Sequence, residues 1–166
     1  MKIAIVTGAA KGIGRSIAEE LSKQGIKVIA NYNTSEIQAK ELKEKNPEID
    51  IFQADISKRE EVKKIVEYTI NKYGKIDILV NNAGIAETKL FTDVTDEDWN
   101  KIINNNLYSA FCITQEVLPN MIHNKMGCII NISSVWGIVG SSCESIYSIS
   151  KAGIDAMTKS LAKELG

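Results

Sequence analysis

The sequence predicts an α/β domain, a doubly wound parallel sheet of about five strands with helices on both faces. Three observations predict it. Short apolar runs alternate with longer segments of helical periodicity along all 166 residues. The short runs are continuously apolar, as strands buried on both faces require. A glycine-rich turn, Gly8-Ala9-Ala10-Lys11-Gly12-Ile13-Gly14, separates the first run from the first helical segment. Right-handed crossovers then leave one Rossmann-type open sheet over residues 1–166 as the main candidate.

Lys2–Thr7 is a β-branched-rich strand. The next segment, Ile13–Gln24, carries Ile13, Ile17, Ala18 and Leu21 at helical spacing, and Gly25 ends it. Lys27–Tyr32 is the second strand. Ser35-Glu36-Ile37-Gln38 matches a capping box and opens a helix to about Lys45. Ile49–Ala54 is the third strand, and a second capping box at Ser57–Glu60 opens a helix that ends near Gly74. Asp77–Asn82 is the fourth strand. Thr95-Asp96-Glu97-Asp98 caps a helical region reaching about Asn124, with Pro119 as an irregularity near its end. Cys128–Ser133 is the fifth strand, and a last helix runs from about Ser145 to Leu165, with Gly166 as its C-cap.

Composition narrows the function. Twenty Lys+Arg oppose 21 Asp+Glu, so the broad positive field of a nucleic-acid binder is missing. No apolar run approaches the roughly 20 residues of a membrane helix, and the short apolar start does not read as a signal peptide. Cys112, Cys128 and Cys143 are an odd set without CxxC spacing, which points to a reduced, cytoplasmic protein rather than a disulfide or zinc framework. No metal-ligand cluster stands out, and the lone His123 reads as a helix-end residue.

Ligands of such sheets bind beyond the carboxyl ends of the strands. Glycines there let the backbone approach a phosphate, and the following helix start offers free N–H groups. The spacing is GxxxGxG, neither GxGxxG nor the GxxxxGK[ST] loop. About 20 residues on, where an acidic ribose ligand is expected, the chain reads Ala30-Asn31-Tyr32-Asn33. With Lys11 inside the turn, this favours NADP(H) over NAD(H). Tyr147 and Lys151 lie four apart on one helix face. A neighbouring ammonium lowers the pKa of a phenol towards the range of acid–base work. Ser134, at the end of the fifth strand, suits a hydrogen bond to a developing alkoxide.

Together, Thr7-Gly8-x-x-x-Gly12-x-Gly14, Asp55, Asn81-Asn82-Ala83-Gly84, Asn106, Ser134 and Tyr147-x-x-x-Lys151 resemble the classical short-chain dehydrogenase/reductase family. The resemblance covers the whole chain. The stretches TGAAKGIGRSIA, ILVNNAGI, IINNNL and YSISKAGIDAMTKSLAKEL are most similar to those of 3-oxoacyl-[acyl-carrier-protein] reductases. That resemblance implies NADPH-dependent reduction of a 3-oxoacyl thioester in fatty acid synthesis. Other carbonyls or alcohols (acetoacetyl-CoA, a sugar, a steroid), or a non-catalytic nucleotide-binding role, are the alternatives.

By the same resemblance, Tyr147 is the general acid, and Lys151 holds the nicotinamide ribose and depresses the Tyr147 pKa. Ser134 polarises the carbonyl, and the Asn106 backbone helps hold a relay water. Thr7, Gly8, Gly12, Ile13 and Gly14 shape the diphosphate turn with Lys11. Asn33, Asp55, Ile56, Asn82, Ala83 and Gly84 line the adenosine side. A homo-oligomer, dimer or tetramer, is implied through the helices at Asn106–Asn124 and Ser145–Leu165. Its apolar faces would come from Leu107, Ala110, Phe111, Ile154, Met157 and Leu161. An acyl carrier protein partner would meet a basic rim with Lys125 as a candidate. Family members continue beyond the last helix into two further strands, so the fifth strand would be an unpaired apolar edge here.

Overall fold

The computed structural model describes all 166 residues. Five parallel strands form one sheet in the order β3-β2-β1-β4-β5. They are β1 (Ile3–Val6), β2 (Lys27–Tyr32), β3 (Asp50–Gln53), β4 (Ile78–Asn81) and β5 (Cys128–Asn131). The helices are α1 (Gly12–Lys23), α2 (Glu36–Lys45), α3 (Arg59–Tyr73), α4 (Asp96–Ile103), α5 (Ser109–His123), α6 (Trp136–Val139) and α7 (Ser145–Leu165). A short 3₁₀ turn at Phe91–Asp93 precedes α4. The sequence anticipated all five strands and the long helices within a residue or two at most ends.

Strand alternation divides the core. Ile3, Ile5, Ile29 and Leu79 face α3 and α5, where Val62, Ile65, Ile113 and Val117 meet them. Ala4, Val6, Val28, Ala30 and Val80 face the other way, onto α1 and α2. The smaller strand side chains lie on the second face, against buried Gly14 and Ala18 of α1. Each fully buried Ile, Leu or Val contributes roughly 1.5–3 kcal/mol relative to exposure. No helix is long and apolar enough to cross a membrane.

β5 pairs only with β4, and Ile130 beside Val80 stays 43% exposed on the α1/α2 face. The apolar edge anticipated from the sequence is therefore present. A concavity of about 810 Å³ runs beside this edge between the last turns of α5 and α7.

Three local expectations need correction. Neither serine capping box forms. Ser35 precedes α2 without a side-chain cap bond. Ser57 donates its hydroxyl to Asp55 Oδ1 at 2.6 Å instead, and α3 starts after Lys58. Only Thr95 makes the reciprocal box, with Asp98. Secondly, Pro119 does not interrupt α5, which continues to His123. The irregularity of that long helical region lies upstream, in a π-turn at Asn104–Tyr108 between α4 and α5. Thirdly, Ala110 and Ile154 are buried within the subunit, so they are not available to a partner. Phe111 is exposed, while Leu107, Met157 and Leu161 are half-buried.

Candidate active site

Strand order reverses at β1 and β4, so the crevice of the sheet opens beyond their carboxyl ends. Thr7 stitches the two sides together. Its hydroxyl donates to Val80 O and accepts the N–H groups of Asn82 and Ala83, both at 3.0 Å. The Asn82 amide donates back to Thr7 O at 2.9 Å and Gly8 O at 3.2 Å.

The three glycines of the turn are there for different reasons. Gly8 has φ +62°, and a Cβ would lie 2.9 Å from Ala83 Cα. A Cβ on Gly14 would collide with the Asn82 amide and Gly8 O. Gly12 has φ +58° but no neighbour within 4 Å, so its face is open to a ligand. Lys11 is the exposed N-cap of α1 and provides no side-chain cap. The N–H groups of Gly12, Ile13 and Gly14 are left without a protein acceptor, the arrangement that receives a phosphate. Ile13 is 64% exposed beside them.

On the other flank, Asn33 is exposed just past β2, and its carbonyl accepts Gln53 Nε2 at 2.9 Å. Asp55 is half-buried and committed to its own turn. Against the cost of partial burial, bonds from Ser57 and the Lys58 ammonium hold its carboxyl below the usual range. The Ile56 side chain packs into the α3/α5 core, so only its backbone is left to meet a ligand.

Beyond β4 and β5 the second group of residues gathers on α7. Lys151 is 5% exposed, and its Nζ donates to Ile132 O at 2.7 Å. It lies 5.6 Å from the Tyr147 ring centroid. Burial pushes the Lys151 ammonium down from the ordinary lysine value, with Asp155 opposing. Asn106 is 1% exposed. Its amide donates to Ile85 O at 2.8 Å and Ser150 Oγ at 3.1 Å, and it accepts Ile85 N–H at 2.8 Å. Every polar atom of that side chain is therefore occupied in pinning the strand-end loop to α7. Gly84 fits between, since a Cβ there would lie 3.3 Å from Asn106 Oδ1 and 3.7 Å from Lys151 Nζ.

Ser134 Oγ accepts the Trp136 N–H at 3.2 Å, which leaves its proton free to donate. Neither the Ser134 hydroxyl proton nor the hydroxyl of half-buried Tyr147 is used in a hydrogen bond within the protein, which leaves both free for a ligand. α6 lies flush on α7. A Cβ on Gly137 would come within 2.8 Å of the Lys151 carbonyl carbon. No helical period marks this four-residue element in the sequence. Its exposed Trp136, Ile138 and Val139 add an apolar rim beside Ser134.

The short chain dehydrogenase family matches residues 2–166. The chain belongs to that family. It is accordingly an oxidoreductase of a type that uses a nicotinamide nucleotide. Among its relatives, the 3-oxoacyl-[acyl-carrier-protein] reductase FabG of Thermotoga maritima is 41% identical over 167 residues, spanning 99% of this chain and 68% of its own length. The reductase of the same name from Staphylococcus epidermidis is 39% identical over 168 residues, with 99% and 69% covered. A 3-oxoacyl-[acyl-carrier-protein] reductase of Synechocystis is also 39% identical, with 99% and 68% covered.

Proposed function

We propose that this short-chain dehydrogenase reduces the keto group of a 3-oxoacyl thioester carried on acyl carrier protein, with NADPH as the preferred reductant, in fatty acid synthesis. The names of the relatives support the substrate class. The observation that carries the chemistry is buried Lys151, 5.6 Å from the Tyr147 ring and bonded to Ile132 and Ser133, the two residues that lead into Ser134.

The residues present fit a dinucleotide. The open face of Gly12 and the unpaired N–H groups of Gly12, Ile13 and Gly14 suit the diphosphate. Lys11 and Asn33, with no carboxylate at the β2 end, suit a 2′-phosphate in preference to a free 2′-hydroxyl. Asp55, the Ile56 backbone, Asn82, Ala83 and Gly84 border the adenosine side. Lys151, with hydrogens to spare after Ile132 O, suits the nicotinamide ribose. When bound, the nicotinamide supplies the hydride that reaches C3 of the substrate.

The protein's part is proton transfer and orientation. Ser134 donates to the carbonyl oxygen with the hydroxyl proton that the Trp136 N–H leaves free. Tyr147 gives its phenolic proton to the same oxygen, producing the 3-hydroxyacyl thioester. The Lys151 ammonium favours the phenolate left behind. The π-turn at Asn106 loosens the regular helical bonding of the backbone next to Lys151, in keeping with a backbone-held relay water. The rim of α6 offers apolar surface to an acyl chain.

The test is NADPH oxidation with an acetoacetyl thioester, run beside Tyr147→Phe. Turnover that the variant loses supports the reading. Turnover retained in the variant, or NADH outperforming NADPH, contradicts its proton-donor or cofactor half. A 166-residue chain that binds NADPH without turnover would be a nucleotide-binding protein in its own right.

A further inference from the structure

We propose that Asn31 is a positioning residue for the dinucleotide, holding the glycine turn in its binding shape from the side opposite Asn82. The inference rests on the assignment of the Gly8–Gly14 turn to the cofactor.

Asn31 lies near the end of β2 and is 2% exposed. A buried carboxamide in a parallel sheet is costly unless its atoms are bonded. Here every one is. Its Oδ1 accepts the Gly8 N–H at 3.3 Å. Its Nδ2 donates to Ala54 O at 3.0 Å, and at longer range to Tyr32 O and Phe52 O, 3.3 and 3.4 Å. The orientation follows from the partners, since only the NH₂ can face carbonyls and only the oxygen can face an N–H. The Asn31 main-chain carbonyl adds a 2.8 Å bond from Ala9 N–H.

One residue therefore ties the ends of three strands: β1 at Gly8 and Ala9, its own β2, and β3 at Phe52 and Ala54. Two consecutive N–H groups of the turn, at Gly8 and Ala9, are fixed by it. Ala54 immediately precedes Asp55, so the same amide connects the diphosphate turn with the adenosine side. Gly8, at positive φ, is clamped between two asparagines, Asn82 on its carbonyl and Asn31 on its N–H. A hydrophobic residue of similar size would fill the space and hold neither end. That explains why the apolar run Val28–Ala30 turns polar there.

The experiment is a fluorescence titration of NADPH with the whole chain and with Asn31→Ala and Asn31→Ser, each checked for folding by circular dichroism and thermal melting. Asn31→Ala is expected to weaken NADPH binding at least tenfold and to raise KM for NADPH in step, with kcat falling far less. Asn31→Ser, which can keep one of the two links, is expected to fall between. A folded variant that melts lower yet binds NADPH like the wild type overturns the proposal, because Asn31 would then only hold the sheet. Failure of both variants to fold overturns it on the same ground, and so does a wild-type chain that binds no NADPH. The titration needs no substrate. Wild-type binding without thioester reduction would sink the substrate assignment and leave the role of Asn31 standing.

Discussion

Lys151 places its ammonium 2.7 Å from the carbonyl oxygen of Ile132, with no carboxylate in ion-pair range. A buried charge that is hydrogen-bonded but not paired is costly to the fold. Its retention beside Tyr147 is what a catalytic task would require.

Lys151→Met is therefore expected to abolish turnover while raising the melting temperature at neutral pH. Because burial lowers the folded-state value, the unfolded chain binds more protons between that value and the ordinary lysine 10.5. The cost to stability is full below the lowered value and shrinks as pH rises through this window. The gap in melting temperature between variant and wild type should narrow on the alkaline side. A gap that is constant with pH would separate the charge from the effect.

Tyr147→Phe removes the proposed proton donor and little else, since its hydroxyl makes no bond within the protein. We expect kcat to fall about 10²–10⁴-fold, the usual weight of a general acid, with NADPH affinity retained. Stopped-flow turnover and a binding titration on one preparation check both halves.

Asn33→Asp tests the cofactor reading directly. A carboxylate just past β2 would repel a 2′-phosphate and accept a ribose hydroxyl. The ratio of kcat/KM for NADPH to that for NADH should drop at least tenfold. Lys11→Ala should lower it in the same direction. An unchanged ratio in both variants would place 2′-phosphate recognition elsewhere.

Asp50, at the start of β3, gathers the ammonium groups of Lys27, Lys43 and Lys72 and the hydroxyls of Tyr68 and Tyr73. Despite the cost of partial burial, bonds from Lys72, Tyr73 and Lys27 hold its carboxyl well below the usual range. Lys43 and Lys72 are partly solvated, which screens the gain. Asp50→Asn should cost roughly 1–2 kcal/mol at neutral pH, as for a charged hydrogen-bond partner lost. The contribution is full above the ordinary aspartate value of 3.8 and disappears as pH falls towards the lowered one. Urea unfolding at pH 7 and pH 3 checks it: the gap should begin to narrow at pH 3 and close only as pH falls further towards the lowered value.

Cys143 adopts φ +61°, a left-handed conformation that L side chains pay for. Its carbonyl accepts the Lys89 N–H at 2.7 Å, fixing the loop after β4 to the approach of α7. Cys143→Gly should keep that bond and relieve strain of about 1–2 kcal/mol, less the roughly 0.5–1 kcal/mol entropy cost of glycine. A small rise in melting temperature is expected. A fall would mean that the thiol, 3.7 Å from Ser142 Oγ, contributes more than the strain removes.

The layer architecture was legible because apolar runs and helical periods report burial directly, and Gly25 and Gly74 mark helix ends with positive φ. The motif residues were legible because they cluster at strand ends. What stayed hidden depended on competition between partners. Ser57 fits a cap pattern, yet Asp55 two residues earlier offers its hydroxyl a better acceptor. Asn31 looked like the absence of a carboxylate, because its four bonds reach Gly8, Tyr32, Phe52 and Ala54, partners that no local pattern links. Asn106 carried a motif but not its geometry, since a π-turn leaves no mark in hydrophobic spacing.

That π-turn makes the length of its segment as significant as its composition. Removing any one of the five residues Asn104–Tyr108 would let α4 and α5 merge into a regular helix. The wide turn absorbs one residue more than a regular α-helix would hold, so the flanking faces, with Ile102 on one side and Cys112, Ile113 and Val117 on the other, would stay on the interior. What the deletion would displace is Asn106, whose amide bonds to Ile85 and Ser150 are made from inside that turn. Single deletions here should therefore cost activity far more than they cost stability.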